Sequence, residues 1–126
     1  MEKGKLIVIR TSVLQESVNT IEVDYEEGRL SDVVRKYVDG WLENVHPKGL
    51  ERPYCMIVDE EGLIKELPIN MIGSELYNHK TLGFQPIVGN IVIVKEQMVN
   101  GEIDWALLND NDVEQVKEMI VKVLKH

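Results

Sequence analysis

The sequence predicts a single α+β domain over residues 1–126. It should hold an antiparallel or mixed sheet of about six or seven strands, flanked by two or three helices, with a C-terminal amphipathic helix. Three observations carry this expectation. Short β-branched runs recur, among them Leu6-Ile7-Val8-Ile9, Met56-Ile57-Val58 and Ile91-Val92-Ile93-Val94, with turn formers between them. Asn100-Gly101 lies between Val99 and Ile103, the strongest short hairpin signal in the chain. Residues 110–125 repeat apolar side chains at helical spacing behind an Asn and Asp cap.

The elements follow in order. Lys5 to Arg10 is strongly apolar and reads as a first strand, and Thr20 to Tyr25 alternates as a strand with one buried face does. Between them Thr11–Asn19 is long for a tight hairpin. Ser31 is placed to cap a helix whose stripe is Val33, Val34, Tyr37 and Val38, and Gly40 stands where helices end in a left-handed residue. Trp41 to Val45 then reads as a strand stopped by His46-Pro47-Lys48-Gly49. Tyr54–Asp59 and Leu63–Leu67 flank Glu60-Glu61-Gly62, and the pair is expected to form a β-hairpin.

Pro68 ends that second strand, and Asn70 stands at the N-cap of a short helix from Met71 to Tyr77 that Gly73 weakens. Asn78 to Gln85 is expected to be a surface loop. Ile87 to Lys95 reads as a strand carrying a bulge or tight turn at Gly89-Asn90. After the Asn100-Gly101 turn, Trp105 to Leu108 completes the returning strand. Asn109 or Asn111 can cap the last helix, with Val113, Val116, Ile120, Val123 and Leu124 on one face and Met119 widening it.

Composition narrows the function. The 126 residues carry 44% hydrophobic side chains, enough for a core, and the apolar runs are far too short to cross a bilayer. No secretory leader is expected, and a single cysteine, Cys55, fits a reducing cytoplasm. With 14 basic against 22 acidic residues the net charge is −8, and no run of Lys and Arg is available to neutralise phosphates. Direct nucleic-acid binding is therefore not expected. The acidity reads either as solubility or as a face that competes with DNA for a basic protein surface.

Four separated segments add a resemblance. Gly40-Trp41-Leu42-Glu43, Val58-Asp59-Glu60-Glu61-Gly62-Leu63, Leu67-Pro68-Ile69-Asn70 and Ile87-Val88-Gly89-Asn90 occur in order between Val38 and Val94. Together they resemble a small family of domains of unknown function encoded mainly by phages, prophages and plasmids. The sequence departs from that pattern at Asp39-Gly40, where a double glycine is usual, and at Asn90, where aspartate often stands. The resemblance carries no settled activity. It implies a mobile-element origin, in whose company small proteins that blunt host defences are common.

Residue chemistry points to binding more than to catalysis. His46, His79 and His126 lack the close ligand pairs of a zinc site, so no metal is expected. Cys55 has no neighbouring base and reads as an inert core thiol. Asp59-Glu60-Glu61-Gly62 is too short for a calcium loop, and no phosphate loop or dinucleotide fingerprint occurs. No catalytic residue and no cofactor is assigned.

What remains is a candidate pocket for a small nucleotide-like ligand. Trp41 or Tyr77 would stack on a base, with Tyr54 on a strand expected nearby, Glu43 and Asn70 would hydrogen-bond it, and Arg52 and Lys80 would neutralise phosphate. Asn70 has an equally concrete reading as a helix cap, and the aromatics as core. Tyr77 to Phe84 concentrates polar donors, a cation and two aromatics in one loop. The functional expectation is a non-enzymatic, cytoplasmic accessory protein that sequesters a nucleotide-like signal, assembled as a homo-oligomer. The alternative is an acidic, DNA-mimic-like inhibitor of a host nucleic-acid-binding protein.

Overall fold

A computed structural model describes residues 2–11, 17–25 and 30–125. Among these residues six strands and three helices follow in the order β1 (Glu2–Ile9), β2 (Val18–Tyr25), α1 (Leu30–Val34), β3 (Leu42–Val45), β4 (Tyr54–Asp59), α2 (Met71–Tyr77), β5 (Ile91–Val99), β6 (Glu102–Ala106) and α3 (Asp110–Leu124). All pairings are antiparallel, and the sheet runs β2-β1-β5-β4-β3, with β6 also paired to β5. Ile7 to Ile9 pair with Ile91 to Ile93, whereas Lys95 to Val99 pair with β6. The chain after β6 then returns to β1 through a bridge between Lys5 and Leu108.

The apolar runs of β1, β4 and β5 do not alternate because both faces of the central sheet are covered. One face gathers Ile7, Ile9, Met56, Val58, Ile91 and Ile93 against Ile72 and Leu76 of α2 and the Val113, Val116, Ile120 stripe of α3. The other packs Leu6, Val8, Cys55, Ile57, Val92 and Val94 beneath Leu30, Val33, Val34 and Val38. Each such side chain, fully buried, contributes about 1.5–3 kcal/mol. Burial pushes the Cys55 thiol up to about 12, so it stays a protonated core residue.

The local signals explain most element ends. Asn109 caps α3 in a reciprocal box with Asp112, whose carboxylate accepts from the Asn109 amide at 2.9 Å. Asn100 and Gly101 both adopt positive φ, as a two-residue hairpin turn requires. Gly40 is left-handed at +80°, after Tyr37 and Val38 close the end of α1 onto the Val34 carbonyl.

Four expectations need correction. Leu63–Leu67 is not a strand. Both edges of β4 are already taken by β3 and β5, and residues 60–66 coil into turns closed by Lys65 N to Glu61 O at 3.0 Å and Leu67 N to Gly62 O at 3.1 Å. Ser31 lies inside α1 rather than at its cap, and residues 26–29 ahead of Leu30 are outside those described. The strand expected from Ile87 starts only at Ile91, after the chain turns at Gly89 with φ of +78°, so of the bulge or tight turn expected there it is the turn. Leu124 is 46% exposed, at the margin of the stripe centred on Val116, Ile120 and Val123. The expected connection Thr11–Asn19 falls largely outside the described residues, as does His126.

Candidate functional site

Gly40, Asp59, Gly62, Leu67, Asn70 and Gly89 come together at one corner, and there the protein satisfies its own polar groups. Asn70 is fully buried. Its Oδ1 accepts from Gly73 N at 2.9 Å, while Nδ2 donates to the carbonyls of Ile9 at 2.9 Å and Gly89 at 3.0 Å. The side chain therefore caps α2 and ties it to β1 and to the Gly89 turn. Backbone bonds from Asn70 N to Ile87 O and Gly89 N to Pro68 O, both 2.8 Å, close the same junction.

Asp59 ends β4 at this corner. Its Oδ1 accepts from Glu61 N at 2.8 Å, and Oδ2 pairs with Lys65 Nζ at 2.7 Å. That bond, ahead of the opposing effect of burial, holds the Lys65 ammonium above its ordinary pKa. A Cβ on Gly40 would come within 2.5 Å of the same ammonium. A cleft of about 300 Å³ lies beside the pair, lined in part by Tyr37, Asp39, Leu67 and Asn90. Its two central charges neutralise each other.

A second cleft, of about 440 Å³, opens between the β3–β4 connection and the loop after α2. His46 and Lys48 form one wall, and Tyr77, Asn78, Thr81, Phe84 and Gln85 the other. Its volume lies within the range of small-molecule sites. The loop is fastened from within: Asn78 Nδ2 donates to Ser74 O at 2.7 Å and Gln85 O at 2.8 Å, and Asn78 Oδ1 accepts from Gln85 N at 2.7 Å. Thr81 Oγ lies 2.9 Å from the Asn78 and Gly83 carbonyls. Lys80 supplies the left-handed residue the loop needs, at φ of +58°.

With the loop held this way, Phe84 stays 59% exposed at the cleft, and Lys48 forms no salt bridge among the described residues. His46 Nε2 contacts Glu96 Oε1 at 2.8 Å, and Asn44 Nδ2 donates to Glu96 Oε2 at 2.9 Å. Burial alone would raise the Glu96 carboxyl, but the His46 and Asn44 contacts outweigh it and hold the pKa below its ordinary value.

The seven expected binding residues do not share one pocket. Tyr77 lines the loop cleft, and Lys80 shapes the same loop without lining it. Trp41 lines a separate groove with Glu60, Glu61 and Ile64. Glu43 is exposed on β3, opposite Val58. Arg52 is exposed and lies close enough to Glu96 to help lower its pKa. Asn70 is enclosed at the corner. Tyr54 is buried, its hydroxyl donating to Asp112 Oδ1 at 2.8 Å, and burial followed by that bond pushes its pKa up to about 12.

The sequence does not single out His46 and Lys48 as cleft residues, whereas Phe84 belongs to the 77–84 loop that it does single out. Spacing could not have revealed the first two, which reach the cleft across a tertiary contact, Gly49 N to Leu76 O at 2.8 Å. Among the described residues no group of three metal-capable side chains gathers, and no helix is long and apolar enough to cross a membrane.

Comparison with known families matches residues 5–121 to DUF3846, a domain of unknown function. No curated protein and no solved structure matches the chain.

Proposed function

From the premise that the chain belongs to the DUF3846 family of unknown function, we propose that it is a non-catalytic module that binds and sequesters a small nucleotide-like ligand in the cleft under residues 77–85. The observation that carries this reading is Phe84, an exposed aromatic on a loop otherwise fastened by its own hydrogen bonds. An aromatic face beside Lys48 and His46 suits a flat base joined to an anionic group. A rigid loop also lowers the ordering cost of binding.

Phage-type origin and an anti-defence role follow from the resemblance alone, and a cytoplasmic setting from the single buried cysteine. A homo-oligomer belongs to the proposal because the cleft leaves Phe84 uncovered on one side, where a second copy would close it. The DNA-mimic alternative calls for acidic residues gathered on one side. Exposed carboxylates stand instead on both, with Asp32 on α1 and Glu114 and Glu118 on α3.

Isothermal titration against cyclic mononucleotides, cyclic dinucleotides and cyclic ADP-ribose isomers tests the reading. The expected result is heat with at least one of them, loss of that heat in Phe84→Ala and Lys48→Ala, and recovery of the ligand unaltered by mass spectrometry. Absence of heat throughout, or a chemically changed ligand, contradicts it.

A further inference from the structure

Trp41 and His46 bracket β3 and stand roughly 16 Å apart along it. The loop cleft lies at the His46 end. At the Trp41 end is a separate groove of about 350 Å³, lined by Trp41, Glu60, Glu61 and Ile64. Trp41 is 67% exposed and Ile64 81%, and Leu63 beside it is also exposed. Three large apolar side chains so close together at a surface call for an explanation.

The groove is a fixed feature of the backbone. Glu60 N donates to Trp41 O at 2.8 Å, joining its two walls. Glu61 N donates to Asp59 Oδ1 at 2.8 Å and Gly62 N to Asp59 O at 3.0 Å, so the turn that carries both glutamates is set by the end of β4. Lys65, the cation of that turn, faces inward to Asp59 at 2.7 Å. Glu60 and Glu61 are left without a salt bridge among the described residues.

An indole face, an aliphatic wall and two carboxylates are complementary to one kind of group: a cation on an apolar stem. We propose that this groove is a docking surface for a basic segment of a partner protein, with an arginine laid over Trp41 between Glu60 and Glu61 and apolar neighbours against Leu63 and Ile64. The planar guanidinium stacks on indole and bonds carboxylates through its fork, which favours arginine over lysine. β3 ends the strand order of the sheet, so an extended segment has an edge to run along. This surface stands independently of the ligand proposed for the loop cleft.

The test is an NMR titration of the whole chain with two synthetic pentapeptides, one alternating leucine with arginine and the other leucine with glutamate. The arginine peptide is expected to shift the Trp41 indole N–H and the Ile64 methyl signals saturably. Its affinity should fall about fivefold or more in Trp41→Ala, in the Glu60→Gln, Glu61→Gln double variant, and in about 0.5 M salt. The glutamate peptide should shift neither signal. No shift, equal shifts with both peptides, or salt-indifferent binding overturns the proposal. So does a dimer, seen by sedimentation, that Trp41→Ala dissociates, because the surface then belongs to a second copy. Salt dependence and peptide selectivity are read on the unaltered chain, so the test survives a variant that fails to fold.

Discussion

The corner built from Asn70, Asp59 and Gly89 and the cleft under Phe84 lie on the same domain and treat polar groups in opposite ways. At the corner every hydrogen-bonding group of the Asn70 amide meets backbone, and Asp59 is enclosed by Glu61 N and Lys65. At the cleft, Asn78 and Thr81 hold the loop while Phe84 and Lys48 are left open to solvent. The enclosed residues of the corner thus specify the fold, whereas the cleft residues Phe84 and Lys48 are left free to meet a ligand. A recognisable residue marks a structural need as readily as a binding one.

The sharpest way to break this contrast is Asn70→Ala. It would remove a helix cap and strand two buried carbonyls, at an expected cost of about 3–4 kcal/mol. Urea unfolding measures it, and a cost below about 1 kcal/mol would mean the corner is not a clamp. Gly89→Ala should cost about 2 kcal/mol, because φ is +78° and the new Cβ would lie 2.8 Å from Leu67 Cδ1. The same unfolding assay reads it.

Acid should act on the cleft wall. The Glu96 pKa is held below its ordinary value of 4.5, so its ionised contacts stabilise the fold above that pH and are lost as pH falls through the lower, folded value. Because the group is partly solvated, the effect should be under about 1 kcal/mol. An NMR pH titration should show the Asn44 side-chain amide moving with the Glu96 carboxyl. Smallest in stability is Phe84→Ala, expected within about 0.5 kcal/mol of the parent. Its affinity for a nucleotide-like ligand should nonetheless fall about tenfold or more, the scale of one stacked base. A large stability loss there would make Phe84 a packing residue.

How much of this the sequence disclosed depended on the range of the interaction. Local signals read correctly: the Asn70 cap, the Asn109 cap, the Asn100-Gly101 turn and the left-handed Gly40 each depend on a few neighbours. Leu63–Leu67 misread because its apolar content suits a strand, while the deciding fact is tertiary: β3 and β5 already flank β4. A local signal did exist, since Asp59 ahead of Glu60-Glu61 resembles a helix start, and its carboxylate does accept from Glu61 N. The candidate site was half legible. Residues 77–84 stood out by composition, but Trp41, Asn70 and Tyr54 do not line that cleft: β3 does pair with β4, yet Trp41 and Tyr54 lie toward opposite ends of that pair, and Tyr54 and Asn70 are buried. Only packing of the β3–β4 connection against the end of α2 brings His46 and Lys48 to Phe84.

Amide shift mapping by NMR, with a mixture of cyclic mono- and dinucleotides as the probe, tests most directly whether the loop cleft binds ligand while the corner only holds the fold. The account predicts saturable shifts confined to residues 46–48 and 77–85. No shift at all, or shifts centred on residues 59–70 and 87–90, would contradict it.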